Sequence, residues 1–185
     1  AHPEPRSLNG ALKNFAVRHL QQAGHEVQVS ALYAMRWKAG FDADDSSAPL
    51  VGEFWRSTLD SKQAFEQGTQ SADIVAEQEK LLWADTVIFQ FPLWWFSMPA
   101  IMKGWIDRVI RPGVAYEFLE GDSGEGIPKG LLKARTAVVF NTSNTSPERE
   151  SRVFRDPLET IWRNCIFGLC GVNTFYRRMF TVIVT

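Results

Sequence analysis

Three large aromatic residues in succession, Trp94, Trp95 and Phe96, are the most unusual chemical feature of this sequence. They lie in residues 92–99, directly after a short apolar run that is typical of a buried strand. One explanation is packing, over the edge of a sheet or against another copy of the chain. The other is chemistry: the aromatic side chains can form a stacking wall for a flat ring system, while neighbouring backbone amides bind the edge of that ring.

Two further segments offer polar groups. Residues 2–9 form a turn that ends at a helix start, where Ser7, Asn9 and backbone N–H groups can bind a phosphate or serve as ordinary helix caps. Residues 141–145 (Asn-Thr-Ser-Asn-Thr) suit the carbonyls and nitrogens of a ring, or form a solvated turn. Neither segment has a P-loop or GxGxxG pattern, which disfavours ATP and a Rossmann-type dinucleotide. Because ligands of open parallel sheets bind outside the carboxyl ends of the strands, a single cofactor explains all three segments best.

The composition excludes several classes of function. The chain has 185 residues, 45% of them hydrophobic, and a formal net charge of −1, so no basic surplus points to nucleic acid. The three histidines and two cysteines lack the spacing of a metal site. We recognise no targeting segment, and Pro92 and Pro99 interrupt the apolar stretch 81–102. We therefore expect a cytoplasmic protein without a membrane span.

The pattern of apolar residues predicts alternating helices and strands. Helices are expected over residues 7–23, 59–67, 71–84, from Pro99 to about 110, and 156–171, with cap residues Ser71 and Asp156 at the starts of two of them. Strands are expected over 25–33, 86–91, 136–140 and 178–185, and those over 86–91 and 136–140 read as buried on both faces. Residues 34–70 read as an otherwise irregular excursion, and 121–130 as a glycine-rich loop.

This alternation predicts one α/β domain over residues 1–185, with a parallel sheet covered by helices on both sides. A right-handed crossover needs a strand before the first helix, and residues 1–5 are too few to supply one. We therefore expect a first strand to precede the given sequence.

The sequence resembles a known family at these same segments. Residues 87–109 (VIFQFPLWWFSMPAIMKGWIDRV) closely resemble the signature of the NAD(P)H quinone reductases of DT-diaphorase type, and residues 1–9 (AHPEPRSLN) and 71–78 (SADIVAEQ) also match. The resemblance implies a flavodoxin-like, doubly wound parallel sheet, bound FAD (FMN in some relatives) and a homodimer with active sites at the subunit boundary.

The resemblance also implies roles for individual residues. The residues implied on the phosphate and ribityl side of the flavin are His2, Ser7, Leu8 and Asn9. Those implied along the isoalloxazine ring are Pro92, Leu93, Trp94, Trp95 and Phe96. Those implied at the pyrimidine edge of the ring are Asn141, Thr142, Ser143 and Asn144. Trp95, Tyr116 and Phe118 would contact the substrate, the last two by reaching across to the partner's flavin.

The sequence departs from the family pattern in one region. Residues 141–144 replace a Thr-Thr-Gly-Gly turn, and residues 146–155 read as a charged loop without the Tyr and His that the family pattern places there. We therefore name no catalytic acid or base, and both FAD and FMN stay open.

The implied function is ping-pong hydride transfer from NADH or NADPH, through the flavin, to a quinone. Two alternatives are a regulatory subunit of a potassium efflux system and a flavodoxin-like electron carrier. The carrier predicts a strongly acidic face, which the net charge of −1 disfavours.

Overall fold

A three-stranded parallel sheet lies at the centre of the computed structural model, which describes residues 1–119 and 128–183. The strands are β1 (Thr86–Pro92), β2 (Tyr116–Glu117), β3 (Lys129–Gly130), β4 (Thr136–Thr142) and β5 (Thr174–Phe180). Their order in the sheet is β1-β4-β5, whereas β2 and β3 form a separate antiparallel hairpin. The parallel pairing confirms the predicted α/β architecture.

In the described ranges, six α-helices connect and flank these strands. They are α1 (Leu8–Gln22), α2 (Ser57–Gln67), α3 (Ala72–Trp83), α4 (Ala100–Val109), α5 (Pro147–Phe154) and α6 (Pro157–Glu159), which continues as a π-helix over Thr160–Phe167. α1 begins where the sequence predicts, because Ser7 Oγ accepts a hydrogen bond from the Gly10 amide at 3.2 Å. No helix in the described part of the chain is both long and apolar enough to cross a membrane.

One face of the sheet carries the hydrophobic core. Phe89 packs edge-on against Trp105 of α4 and also contacts Trp162 and Phe167 of the π-helix, with ring centroids 4.9–5.6 Å apart. The opposite face meets α1 and is less covered, so that Ile88 is 41% exposed. The prediction that the strand over 86–91 is buried on both faces is therefore wrong for its second face.

Residues 25–33 do not form the predicted strand. Among the described residues, 26–31 make no backbone hydrogen bond to another strand, and most of their side chains are exposed. Alternating residues form a strand only when a neighbouring strand completes the ladder, and within the described ranges none lies beside this segment. The expected strand before residue 1 stays a prediction.

Two other predictions need correction. Residues 146–155 are not a loop, because α5 begins there at Ser146, whose Oγ accepts from the Arg149 amide, with Pro147 in the first turn. The last strand covers 174–180 rather than 178–185, because the chain already pairs with β4 soon after Gly171. The backbone of Val182 is left-handed, which does not fit a strand. Residues 184–185 lie outside the described part.

The predicted side-chain caps of two helices are also not made. Ser71 and Asp156 occupy the N-cap positions of α3 and α6, but neither side chain accepts the capping hydrogen bond. Instead, Ser71 Oγ lies 3.4 Å from an Arg108 nitrogen, and Asp156 bonds to Arg177. Of the loop predicted over 121–130, residues 121–127 lie outside the described part, and 129–130 form β3.

Candidate functional site

The loops that follow β1 and β4 meet at one edge of the sheet. Pro92 is paired with Thr142 in the parallel register, and one residue further on the Leu93 amide donates to the Thr142 carbonyl at 2.7 Å. On the far side of β4, the Ser143 amide donates to the Phe180 carbonyl of β5 at 2.8 Å. Residues 92–99 and 141–145 are therefore held together as neighbouring strand ends, as the sequence predicts.

The segment before α1 joins the same edge. The buried Asn9 side chain donates from Nδ2 to Thr142 Oγ1 at 2.9 Å. Gln90 Nε2 in turn donates to the Asn9 carbonyl at 2.8 Å and to Asn9 Oδ1 at 3.0 Å. Gln90 was not predicted as a site residue, although a polar residue inside an otherwise apolar strand was the available signal. All three predicted segments thus converge.

The turn over residues 2–7 folds tightly over the first turn of α1. A Cβ added to Gly10 would lie 1.8 Å from the Pro5 carbonyl oxygen, so only glycine fits there. The His2 ring lies 6.0 Å from the ring of Trp94, which connects this turn to the aromatic loop. Because the first turn of a helix leaves N–H groups without intrahelical acceptors, Leu8 and Asn9 stand where an anion is favoured.

Residues 94–97 form a strained turn. Trp94 and Ser97 exchange two backbone hydrogen bonds of 3.1 Å, and the two residues between them, Trp95 and Phe96, are both left-handed, with φ of 49° and 60°. Turns with this backbone favour Asn-Gly, because bulky side chains are strained at positive φ. The Trp95 side chain is nonetheless 94% exposed, so no packing contact explains it.

The second aromatic residue of this turn contacts α5. The rings of Phe96 and Phe154 lie 4.5 Å apart, and the Arg149 guanidinium stands over Phe154 at 5.6 Å. This contact was missed because residues 146–155 were read as a loop. Ser146-Pro147-Glu148, a common start of a helix, was the signal that would have revealed it.

A partly buried polar cluster lies beneath the β4 loop, formed by Asn141, Glu150, Asp156, Glu159 and Arg177; we call it the Glu150 cluster. Arg177 Nε donates to Asn141 Oδ1 at 3.2 Å, and its Nη1 donates to Asp156 at 2.6 Å and Glu159 at 3.3 Å. Burial, followed by repulsion from Asp156, raises the pKa of Glu150 above its ordinary value.

Tyr116 and Phe118 lie apart from the converging loops. Their rings contact each other at 5.6 Å, and Tyr116 belongs to the β2–β3 hairpin, while Phe118 is largely exposed. Burial raises the pKa of Tyr116, so its phenol keeps its proton at neutral pH. In the described part of one chain, no ring contact or hydrogen bond joins either residue to residues 92–99, and their predicted role across a subunit boundary stays a prediction.

The arrangement suits a flat aromatic cofactor with an anionic tail. Exposed aromatic side chains stand beside backbone amides and the small polar side chains of 142–145, and a helix N-terminus lies at the other end. The described residues contain no group of three His, Cys, Asp or Glu side chains placed to hold a metal ion. The donor set therefore fits a flavin, whose ring needs stacking and edge hydrogen bonds and whose phosphate needs N–H donors.

Comparison with known proteins supports this interpretation. The family model for the flavodoxin-like fold matches residues 1–181. A structure from Klebsiella pneumoniae, described only as a candidate quinone reductase, is 61% identical with a TM-score of 0.86, over 99% of this chain and 73% of that one.

Two curated relatives carry the names of dehydrogenases. A ribosyldihydronicotinamide dehydrogenase-like protein of Penicillium crustosum is 42% identical over 87% of this chain and 62% of its own length. NAD(P)H dehydrogenase [quinone] 1 of Rattus norvegicus is 46% identical over 64% of this chain and 43% of its own length. The chain therefore spans less than two thirds of both curated relatives.

Proposed function

The chain belongs to the flavodoxin-like family, among the quinone dehydrogenases, and from this premise we propose that it is a flavin-dependent NAD(P)H:quinone oxidoreductase. The observation that carries the proposal is the strained turn of Trp95 and Phe96. It stands at the sheet edge where the loops after β1 and β4 and the start of α1 converge. Exposed aromatic rings on a left-handed turn have a cost in stability that ordinary packing does not explain.

The residues of the site then have distinct tasks. Trp95 and Phe96, with Pro92, Leu93 and Trp94, would line the flat ring, and Asn141, Thr142, Ser143 and Asn144 would bind its polar edge. Ser7, Leu8, Asn9 and His2 would hold the phosphate end. A bound flavin supplies the hydride chemistry, taking two electrons from the nicotinamide donor and passing them to the quinone. The chain contributes orientation and stacking, with donor and quinone using one site in turn.

Two features of the proposal reach beyond one chain. We propose that the active protein is a homodimer in which Tyr116 and Phe118 cover the partner's site. The proposal is supported by the exposed side chain of Phe118, which has no ring contact with residues 92–99 in the described part of its own chain. The molar mass from light scattering tests this. We also keep the prediction that the protein acts in the cytoplasm.

The decisive experiment measures steady-state oxidation of NADPH and NADH with a simple benzoquinone. Turnover with either donor is expected, and its complete lack with flavin fully bound would reject the enzyme and favour the regulatory subunit or the electron carrier. Because one relative is named for ribosyldihydronicotinamide, that smaller donor is assayed in parallel. The absorption spectrum and the mass of the released flavin distinguish FAD from FMN.

The role of the aromatic turn is tested by Trp95→Ala. Loss of one stacking side chain is expected to weaken flavin or quinone binding by roughly tenfold. The free energy of unfolding should hardly fall, since the side chain is exposed. Trp83→Ala, which removes a half-exposed tryptophan at the end of α3, is the matched control. Unchanged binding in Trp95→Ala would contradict the stacking role.

A further inference from the structure

Glu150 is a buried carboxyl group without a hydrogen-bond donor. It lies on α5 with 1% of its surface exposed, and neither Oε1 nor Oε2 has a partner among the described residues. Two neighbours in the Glu150 cluster share this state, since Asp156 Oδ1 and Asn141 Nδ2 are also buried and unpartnered. Most buried polar atoms are hydrogen-bonded, so three such residues in one cluster call for an explanation.

The charges around Glu150 do not favour its ionised form. From β5, Arg177 faces it, but its guanidinium already binds Asp156, Glu159 of α6 and Asn141 of β4. Arg149 on the same helix stands over the Phe154 ring. An ionised Glu150 would be the third carboxylate around one arginine, in a place without water access. Burial and Asp156 raise the pKa of Glu150, whereas Arg177 and Arg149 lower it by less.

α5 is joined to α6 through a strained connection. Arg155 and Asp156, which follow the helix, are both left-handed, with φ of 57° and 47°. The Asp156 amide donates to the Glu150 carbonyl at 3.1 Å, so the turn closes directly on the residue whose carboxyl is buried. The last residue of the helix, Phe154, contacts Phe96 of the aromatic turn. Movement of α5 would therefore change the support of that turn.

We propose that Glu150 is a proton-operated latch, which holds α5 against the sheet while it is neutral and releases the helix when it ionises. The proton goes to solvent on release and returns on closure, and no other group changes. Closed, α5 supports Phe96 through Phe154; open, the strain at residues 155–156 is relieved and Phe96 loses its neighbour. Glu150 thus acts as a positioning residue for the aromatic turn. Its effect on turnover rests on the proposed function, but the latch itself does not.

Amide hydrogen exchange of the flavin-loaded protein tests the latch directly. After correction for intrinsic exchange, protection of the amides of α5 is expected to fall at least fivefold as the pH rises through the ionisation of Glu150. Glu150→Gln, which cannot ionise, should keep the helix protected throughout. Glu148→Gln lies on the same helix, is exposed and pairs with Arg152, so it should behave like the unmodified protein.

Asp156→Asn is a second variant, for which the direction of the change in α5 protection is predicted. Removing this carboxylate removes repulsion and frees Arg177, so an ionised Glu150 is better tolerated in the closed state, and the loss of protection of α5 at high pH should be smaller than in the unmodified protein. A larger pH-dependent loss of protection in Asp156→Asn, or the same loss in Glu150→Gln as in the unmodified protein, would overturn the latch.

Steady-state kinetics test whether the latch affects the proposed quinone reduction. The KM for quinone is expected to rise with pH while kcat changes less, and this rise should be absent in Glu150→Gln. A KM that follows the same pH profile in both proteins would overturn the positioning role. No turnover in any variant would reject the proposed function, while the exchange experiment would still decide the latch.

Discussion

Two buried ionic clusters in this molecule are built in opposite ways. Arg108 of α4 is surrounded by partners: it binds both oxygens of Asp45 at 2.9 and 3.0 Å and Asp73 at 2.7 Å, and its guanidinium stacks over Trp37 at 4.4 Å. In the Glu150 cluster one arginine serves two carboxylates, and a third carboxyl is left without a donor. Each cluster has a buried carboxyl group, and among the described residues only that of the first cluster has hydrogen-bond donors.

The difference shows what each cluster is for. Burial alone would lower the pKa of Arg108, but the hydrogen bonds that it donates to Asp45 and Asp73 raise it, so the charge is held firmly. That network anchors the irregular residues 34–56 to α4, and it lies away from the strand ends. The incomplete cluster lies beneath the loop after β4 and next to the aromatic turn. Unsatisfied polar groups cost stability, and here they accompany a candidate functional site.

Breaking the complete cluster should have the largest effect. Arg108→Met leaves the Asp45 carboxylate buried, and we expect a loss of about 3–5 kcal/mol in the free energy of unfolding, measured by urea titration. Lys103→Met on the same helix removes an exposed pair with Asp107 and should cost less than about 1 kcal/mol. Equal losses in the two variants would show that the Arg108 network is not the anchor.

Breaking the incomplete cluster should cost less. Arg177→Met is expected to lower the free energy of unfolding by about 1.5–3 kcal/mol, because Asp156 and Glu159 are partly exposed and can turn to water. The same substitution removes the donor that orients Asn141, so flavin binding should weaken as well. A loss of stability as large as that of Arg108→Met, measured in the same titration, would erase the contrast between the clusters.

Removing the unpartnered carboxyl group should have the smallest effect on the free energy of unfolding, and the size of that effect should depend on pH. The folded state favours the proton on Glu150, so ionisation of this group costs no stability below the ordinary pKa of 4.5 and lowers stability as the pH rises from there through its higher folded value. Glu150→Gln should therefore gain roughly 1 kcal/mol over the unmodified protein at alkaline pH and little at acidic pH. Urea titrations at both ends of the range measure it, and a gain that is larger in acid would contradict the argument.

Several parts of the fold followed from local sequence signals. The strand over Thr86–Pro92, the helix that begins after Ser7 and the helix after Pro99 were predicted close to their bounds, because apolar periodicity and capping act over a few residues. The prediction of a strand over 25–33 was wrong because a strand depends on non-local contacts: a neighbouring strand must complete its backbone hydrogen bonds. Helix α5 was not predicted because its many charged residues suggested a loop, although Ser146-Pro147-Glu148 is a common helix start.

Local sequence patterns alone predicted the aromatic segment at a strand end, the two polar segments that accompany it and the parallel α/β class. Residue type and spacing are enough for these, because they reflect local backbone preference and hydrophobic pattern. The three-dimensional contacts were needed to show that Gln90, Asn9 and Thr142 connect these segments, that Trp95 is strained and exposed, and that Glu150 is buried without a partner among the described residues. Those properties depend on which distant residues become neighbours, and on the water that their packing removes.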